Sequence, residues 1–65
     1  MEVEEPALEW KNKGNAHYKK KRYAEAIECY DKAIELDPKE MNYYGNKVAV
    51  MTNQKNYEEA HKVLQ

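Results

Sequence analysis

The clearest apolar pattern lies between residues 24 and 36. Ala26, Ile27, Tyr30, Ala33 and Ile34 recur at three- and four-residue steps, the stripe of a helix that buries one face. Asp37-Pro38 ends it, because proline disfavours helical geometry in the residue before it. Upstream, Pro6 suits a helix entry, where its missing N–H costs nothing. Residues 7–20 read as that helix, although Gly14 inside it costs about 1 kcal/mol against alanine. Residues 21–23 carry the turn between the two. Downstream, Met41 opens a third helix to about residue 54, with Tyr44, Val48 and Met51 expected on its inner face. Residues 53–56, Asn-Gln-Lys-Asn, read as a second turn, and a fourth helix begins at Tyr57. Residues 1–6 are acidic and read as a short mobile tail.

These elements repeat. Counting from Ala7, Trp10, Gly14, Tyr18, Tyr23, Ala26, Tyr30, Ala33 and Pro38 fall at fixed positions, and Met41 opens a second copy. Tyr44 then falls under Trp10, Tyr57 under Tyr23, Ala60 under Ala26 and Leu64 under Tyr30. The period and the aromatic–Gly–aromatic…Ala…Pro pattern resemble the 34-residue tetratricopeptide repeat (TPR), and the resemblance covers residues 7–65. It implies an all-α fold of antiparallel helical hairpins in a right-handed superhelical stack. The first repeat would occupy residues 7–40, and the second residues 41–65, incomplete in its second helix. It also implies a reason for Gly14, since the two helices of a TPR hairpin approach closely there and a side chain would hold them apart.

Each such repeat buries a face against the next, so about three are normally needed, with a polar cap on the last. Under two repeats are present. The expectation is an N-terminal fragment of a longer domain; the alternative is a minimal module that completes its core by self-association. In either case Tyr44, Val48, Met51, Tyr57 and Leu64 have nothing to cover them, and a homo-oligomer through the uncapped C-terminal end is one outcome.

Composition narrows the function. With 65 residues the chain is one domain at most, and about 60% of its unfolded surface can be buried. Six tyrosines and one tryptophan replace phenylalanine as bulky core groups. The net charge of −1 gives no sign of nucleic-acid or membrane partners, and no apolar run approaches the roughly 20 residues that span a bilayer. The single cysteine and the absence of a signal peptide fit a cytoplasmic setting.

The chain has no serine, and its one cysteine has no indicated base, so nucleophilic catalysis has no support. No Cys/His spacing of a zinc site is present, and no cofactor is expected. His17 is expected to be partly packed, and Cys29 to act as a small buried hydrophobe. The run Lys19-Lys20-Lys21-Arg22 reads as cations complementing the end of a helix dipole.

The chemistry that remains is anion recognition. Lys11 and Asn15 are four apart and share a helix face, with Tyr18 one turn further on. Asn46 is expected to project beside Asn15 from the next parallel helix. An ammonium, two amides and a nearby phenol suit a carboxylate, whose oxygens they can satisfy. The run Lys11-Asn12-Lys13-Gly14-Asn15, followed by Asn46-Lys47, resembles the carboxylate clamp of Hop-type co-chaperones, which hold the C-terminal Glu-Glu-Val-Asp of heat-shock chaperones. By that resemblance Lys11, Asn15 and Asn46 match three of five clamp side chains, Tyr18 an aromatic of such clamps and Ala49 a small groove residue. The other two groups, a lysine and an arginine on a third A helix, would fall beyond Gln65. The implied partners are C-terminal peptides of heat-shock chaperones, with no nucleic acid and no membrane. The rival reading is a scaffold TPR that grips internal peptides or helices in an apolar groove.

Overall fold

The computed structural model of the chain describes the backbone of residues 6–64 and the side chains of residues 6–60. It comprises three helices, α1 (Ala7–Lys19), α2 (Tyr23–Leu36) and α3 (Met41–Leu64). No strand occurs among the described residues, in keeping with the all-α expectation. The expected acidic tail lies outside them but for Pro6.

Pro6 is extended, with φ −65° and ψ 155°, and its carbonyl accepts the amides of Glu9 at 3.0 Å and Trp10 at 3.4 Å. The other end of α1 closes with a paired motif. The Arg22 amide reaches back to the His17 carbonyl at 2.9 Å, and the Lys21 amide to the Tyr18 carbonyl at 3.0 Å. This is the Schellman arrangement, in which the residue past the cap takes a left-handed conformation normally given to glycine. Here Lys21 takes it, at φ 63°. The turn thus falls at residues 20–22, one residue earlier than the pattern suggested. At the other end of α2, the Asp37 amide bonds to the Ala33 carbonyl at 2.9 Å. The Tyr44 hydroxyl, from the first turn of α3, donates to the Pro38 carbonyl at 3.1 Å.

Helix α2 is the central element and packs on α1 and on α3. Its buried face is Ala26, Cys29, Tyr30 and Ala33, which takes in three residues of the expected stripe. Tyr43 and Val50 are buried on α3, and Tyr18, Tyr23 and Ile27 pack around this centre. Tyrosine rings run across the hairpin ends: Tyr18 and Tyr23 have centroids 6.0 Å apart, and Tyr23 and Tyr57 5.9 Å. Gly14 is buried beneath the Tyr30 ring, and a Cβ there would lie 2.6 Å from Tyr30 Cε1. The close approach expected of this glycine is present.

Two expectations are corrected. Residues 53–56 are not a turn; α3 runs unbroken for 24 residues. That segment contains no glycine or proline, and Gln54 and Lys55 are good helix formers. Asn53 holds the helical path by donating to the Ala49 carbonyl at 2.9 Å, four residues back.

The second correction concerns the inner face of α3. Tyr43 and Val50 face α2, whereas Tyr44, Val48 and Met51 are 38%, 61% and 49% exposed, uncovered as the incomplete second repeat also implied. Helix α3 carries two apolar faces, and α2 covers only one of them. Leu64, expected with this group, has its side chain outside the described residues.

Candidate functional site: the α1–α3 surface

The contacts fix relative directions. Gly14 under Tyr30 and Tyr18 against Tyr23 set α1 antiparallel to α2. Tyr23 against Tyr57 sets α2 antiparallel to α3, as does the ion pair of Lys47 Nζ with Asp31 Oδ1 at 2.6 Å. Helices α1 and α3 therefore run parallel. They meet where Asn53 Nδ2 donates to the Tyr18 hydroxyl at 2.5 Å.

From that junction the levels of the candidate residues follow. Asn46 lies seven residues before Asn53, and Lys11 seven before Tyr18, each about 10 Å along its axis at 1.5 Å per residue. Asn46 is thus level with Lys11, about one turn before Asn15, rather than beside Asn15. Asn46, Ala49 and Asn53 share one flank of α3, and Lys11, Asn15 and Tyr18 share one flank of α1. Lys11, Asn15, Tyr18 and Asn46 are half-buried and Ala49 is exposed. Helical spacing puts all five on the flanks by which α1 and α3 meet, and no enclosed pocket is present among the described residues.

The hydrogen bonds orient these groups. The buried Tyr30 hydroxyl donates to Asn15 Oδ1. With its oxygen accepting from Tyr30, the Asn15 amide keeps its two N–H groups as the donors it can offer a ligand. Tyr18 accepts from Asn53, which leaves its own hydroxyl hydrogen free to donate outward. Together with the Lys11 ammonium, the surface is rich in donors, the chemistry an anion requires. Lys47 does not join it, because its ammonium is held by Asp31.

Tyr30 and Asn53, which set this orientation, were not among the expected site residues. Tyr30 read as core, and Asn53 as the start of a turn. Burial pushes the Tyr30 hydroxyl above its usual range, so it remains a donor at neutral pH. Burial likewise raises the Cys29 thiol, against an opposing pull from Lys13, and Cys29 packs as a buried small residue. His17 is half-buried. No cluster of three metal-ligating side chains exists among the described residues, and no described helix is long and apolar enough to cross a membrane.

Comparison with known proteins gives a consistent picture. Two family models, both described as tetratricopeptide repeat, match residues 7–40 and 29–62. The chain is 44% identical over 50 residues to the small glutamine-rich tetratricopeptide repeat-containing protein beta of Rattus norvegicus, covering 77% of this chain and 16% of that protein. It is 44% identical over 52 residues to the Hsp70-Hsp90 organising protein of Plasmodium falciparum, covering 80% and 9%. With the stress-induced-phosphoprotein 1 of Caenorhabditis elegans it shares 47% identity over 53 residues, covering 82% and 17%. The chain thus spans less than a fifth of the length of these relatives. No solved structure matches it significantly.

Proposed function

The chain belongs to the tetratricopeptide repeat family, and from that premise we propose that its α1–α3 surface binds the C-terminal carboxylates of an acidic peptide of the Glu-Glu-Val-Asp type. In this reading the chain is a non-enzymatic, cytoplasmic adaptor that recruits heat-shock chaperones. The similarity to a protein named Hsp70-Hsp90 organising protein supports the choice of partner. The observation that carries the proposal is the bond from Tyr30 to Asn15 Oδ1, because it leaves the amide as a donor on the helix face that Asn15 shares with Lys11. The Lys11 charge, with Asn15 and Asn46, receives the terminal carboxylates; Tyr18 donates to a neighbouring oxygen, and Ala49 leaves room for the peptide backbone.

Hydrogen bonds to charged groups contribute about 1.5–3 kcal/mol each, so Lys11→Ala should weaken binding at least tenfold. The test is a nuclear magnetic resonance titration of the 65-residue chain with a Glu-Glu-Val-Asp peptide and its C-terminally amidated form. Side-chain amide shifts at Asn15 and Asn46 that require both Lys11 and the free carboxylate are expected. Equal responses to the free acid and the amide would favour a scaffold that grips internal peptide segments.

A further inference from the structure

The second apolar face of α3 has a specific pattern. Met41, Tyr44, Val48 and Met51 recur at steps of three and four and are 72%, 38%, 61% and 49% exposed. This is the a/d spacing of a helix that seams against another helix. Lys55 takes the next position and ends the apolar run, while Glu40 stands immediately before it. The stripe lies on the side of α3 away from Asn46, Ala49 and Asn53, so it is separate from the peptide surface.

We propose that this stripe is the dimer interface of the chain, formed by antiparallel packing of α3 against α3 of a second copy. Three observations select that occupant. An antiparallel two-fold pairing centred near residue 46 sets Met41 opposite Met51 and Tyr44 opposite Val48, so one short stripe covers itself without remainder. The same pairing brings Lys55 of each copy within one turn of Glu40 of the other, opposite charges at both ends. A parallel pairing would set like against like. Finally, Gly45 borders the seam with nothing within 4 Å of where a Cβ would stand, which lets the two backbones approach. Lys47, near the middle of the stripe, is neutralised by Asp31 of its own chain and does not oppose the approach. The interface is isologous and closes at two copies.

Sedimentation equilibrium of the 65-residue chain, from micromolar to millimolar concentration, tests this. A monomer–dimer equilibrium is expected. Val48→Glu should abolish dimers, and because Val48 is exposed, circular dichroism should show its helix content intact. Lys55→Glu should weaken the dimer about fivefold, since each copy loses one exposed pair, and the double reversal Glu40→Lys with Lys55→Glu should restore it. A chain that stays monomeric at all concentrations would overturn the proposal, as would dimers insensitive to Val48→Glu. Failure of the double reversal, with helicity unchanged, would overturn the antiparallel register.

Discussion

The two glycines offer an internally controlled experiment, because each sits within a helix and they differ in what lies above them. At Gly14 a Cβ would stand 2.6 Å, 2.8 Å and 3.0 Å from Cε1, Cδ1 and Cζ of Tyr30. Ordinary contact begins near 3.4 Å, so the ring would have to retreat by most of an ångström. It has nowhere to go, since Tyr30 is 1% exposed and packs in one cluster with Ala26 and Val50. Overpacking of this kind costs about 1–3 kcal/mol, and displacing the ring puts its bond to Asn15 at risk, worth about 1 kcal/mol. Against this, alanine gains about 1 kcal/mol of helix propensity over glycine. The net expectation for Gly14→Ala is a loss of about 1–3 kcal/mol. At Gly45 the space is empty, so Gly45→Ala should gain up to about 1 kcal/mol from propensity alone. For a domain of this size, 1 kcal/mol moves the melting temperature by about 4–8 °C. Thermal unfolding followed by circular dichroism at a concentration low enough to keep the chain monomeric should show Gly14→Ala melting below the parent chain and Gly45→Ala above it. A Gly14→Ala variant as stable as the parent would refute the reasoning, because it would show that the ring yields at no cost.

Three further predictions follow from individual contacts. Lys21→Gly should raise stability by about 1 kcal/mol in denaturant titration, because it relieves a left-handed conformation that costs a β-carbon-bearing residue about that much. Tyr30→Phe should lower stability by about 1 kcal/mol and weaken binding of the acidic peptide, although Tyr30 lies beneath the surface; a change in stability alone would detach Tyr30 from the site. Cys29 is held as the neutral thiol by burial, its folded value lying above the ordinary 9.0. That contribution is full below pH 9.0 and is lost as pH rises through the folded value. Unfolding midpoints should therefore fall on the alkaline side, and Cys29→Ala should flatten the fall.

Residues that announce themselves locally were legible in the sequence. Gly14 was, because a glycine inside a helix needs a packing reason, and the repeat register named it. The Asp37-Pro38 stop was, because proline acts on its immediate neighbour. Lys11, Asn15 and Tyr18 could be placed on one face from spacing alone. The second turn was misread because register counts positions and does not weigh energies: Asn53 and Asn56 favour leaving a helix only weakly, and residues 53–56 hold no glycine or proline to force it. The inner face of α3 was misread because the helix has two apolar stripes, and only the position of α2 decides which is buried. The contacts that orient the candidate site, Tyr30 with Asn15 and Asn53 with Tyr18, join residues 15 and 35 positions apart on different helices. No local pattern encodes them, and each residue has a plausible simpler role in its own segment.

The Tyr30 hydroxyl has a consequence for how this chain tolerates change. Its ring is needed for folding, whereas its oxygen adds only about 1 kcal/mol and aims Asn15. Selecting a library at position 30 for folded, soluble chains should accept phenylalanine alongside tyrosine. Selecting the same library for capture of an acidic C-terminus should retain tyrosine alone. The two enrichment profiles should diverge most at this buried position, so a survey that scores binding would assign to the ligand surface a residue that no ligand touches.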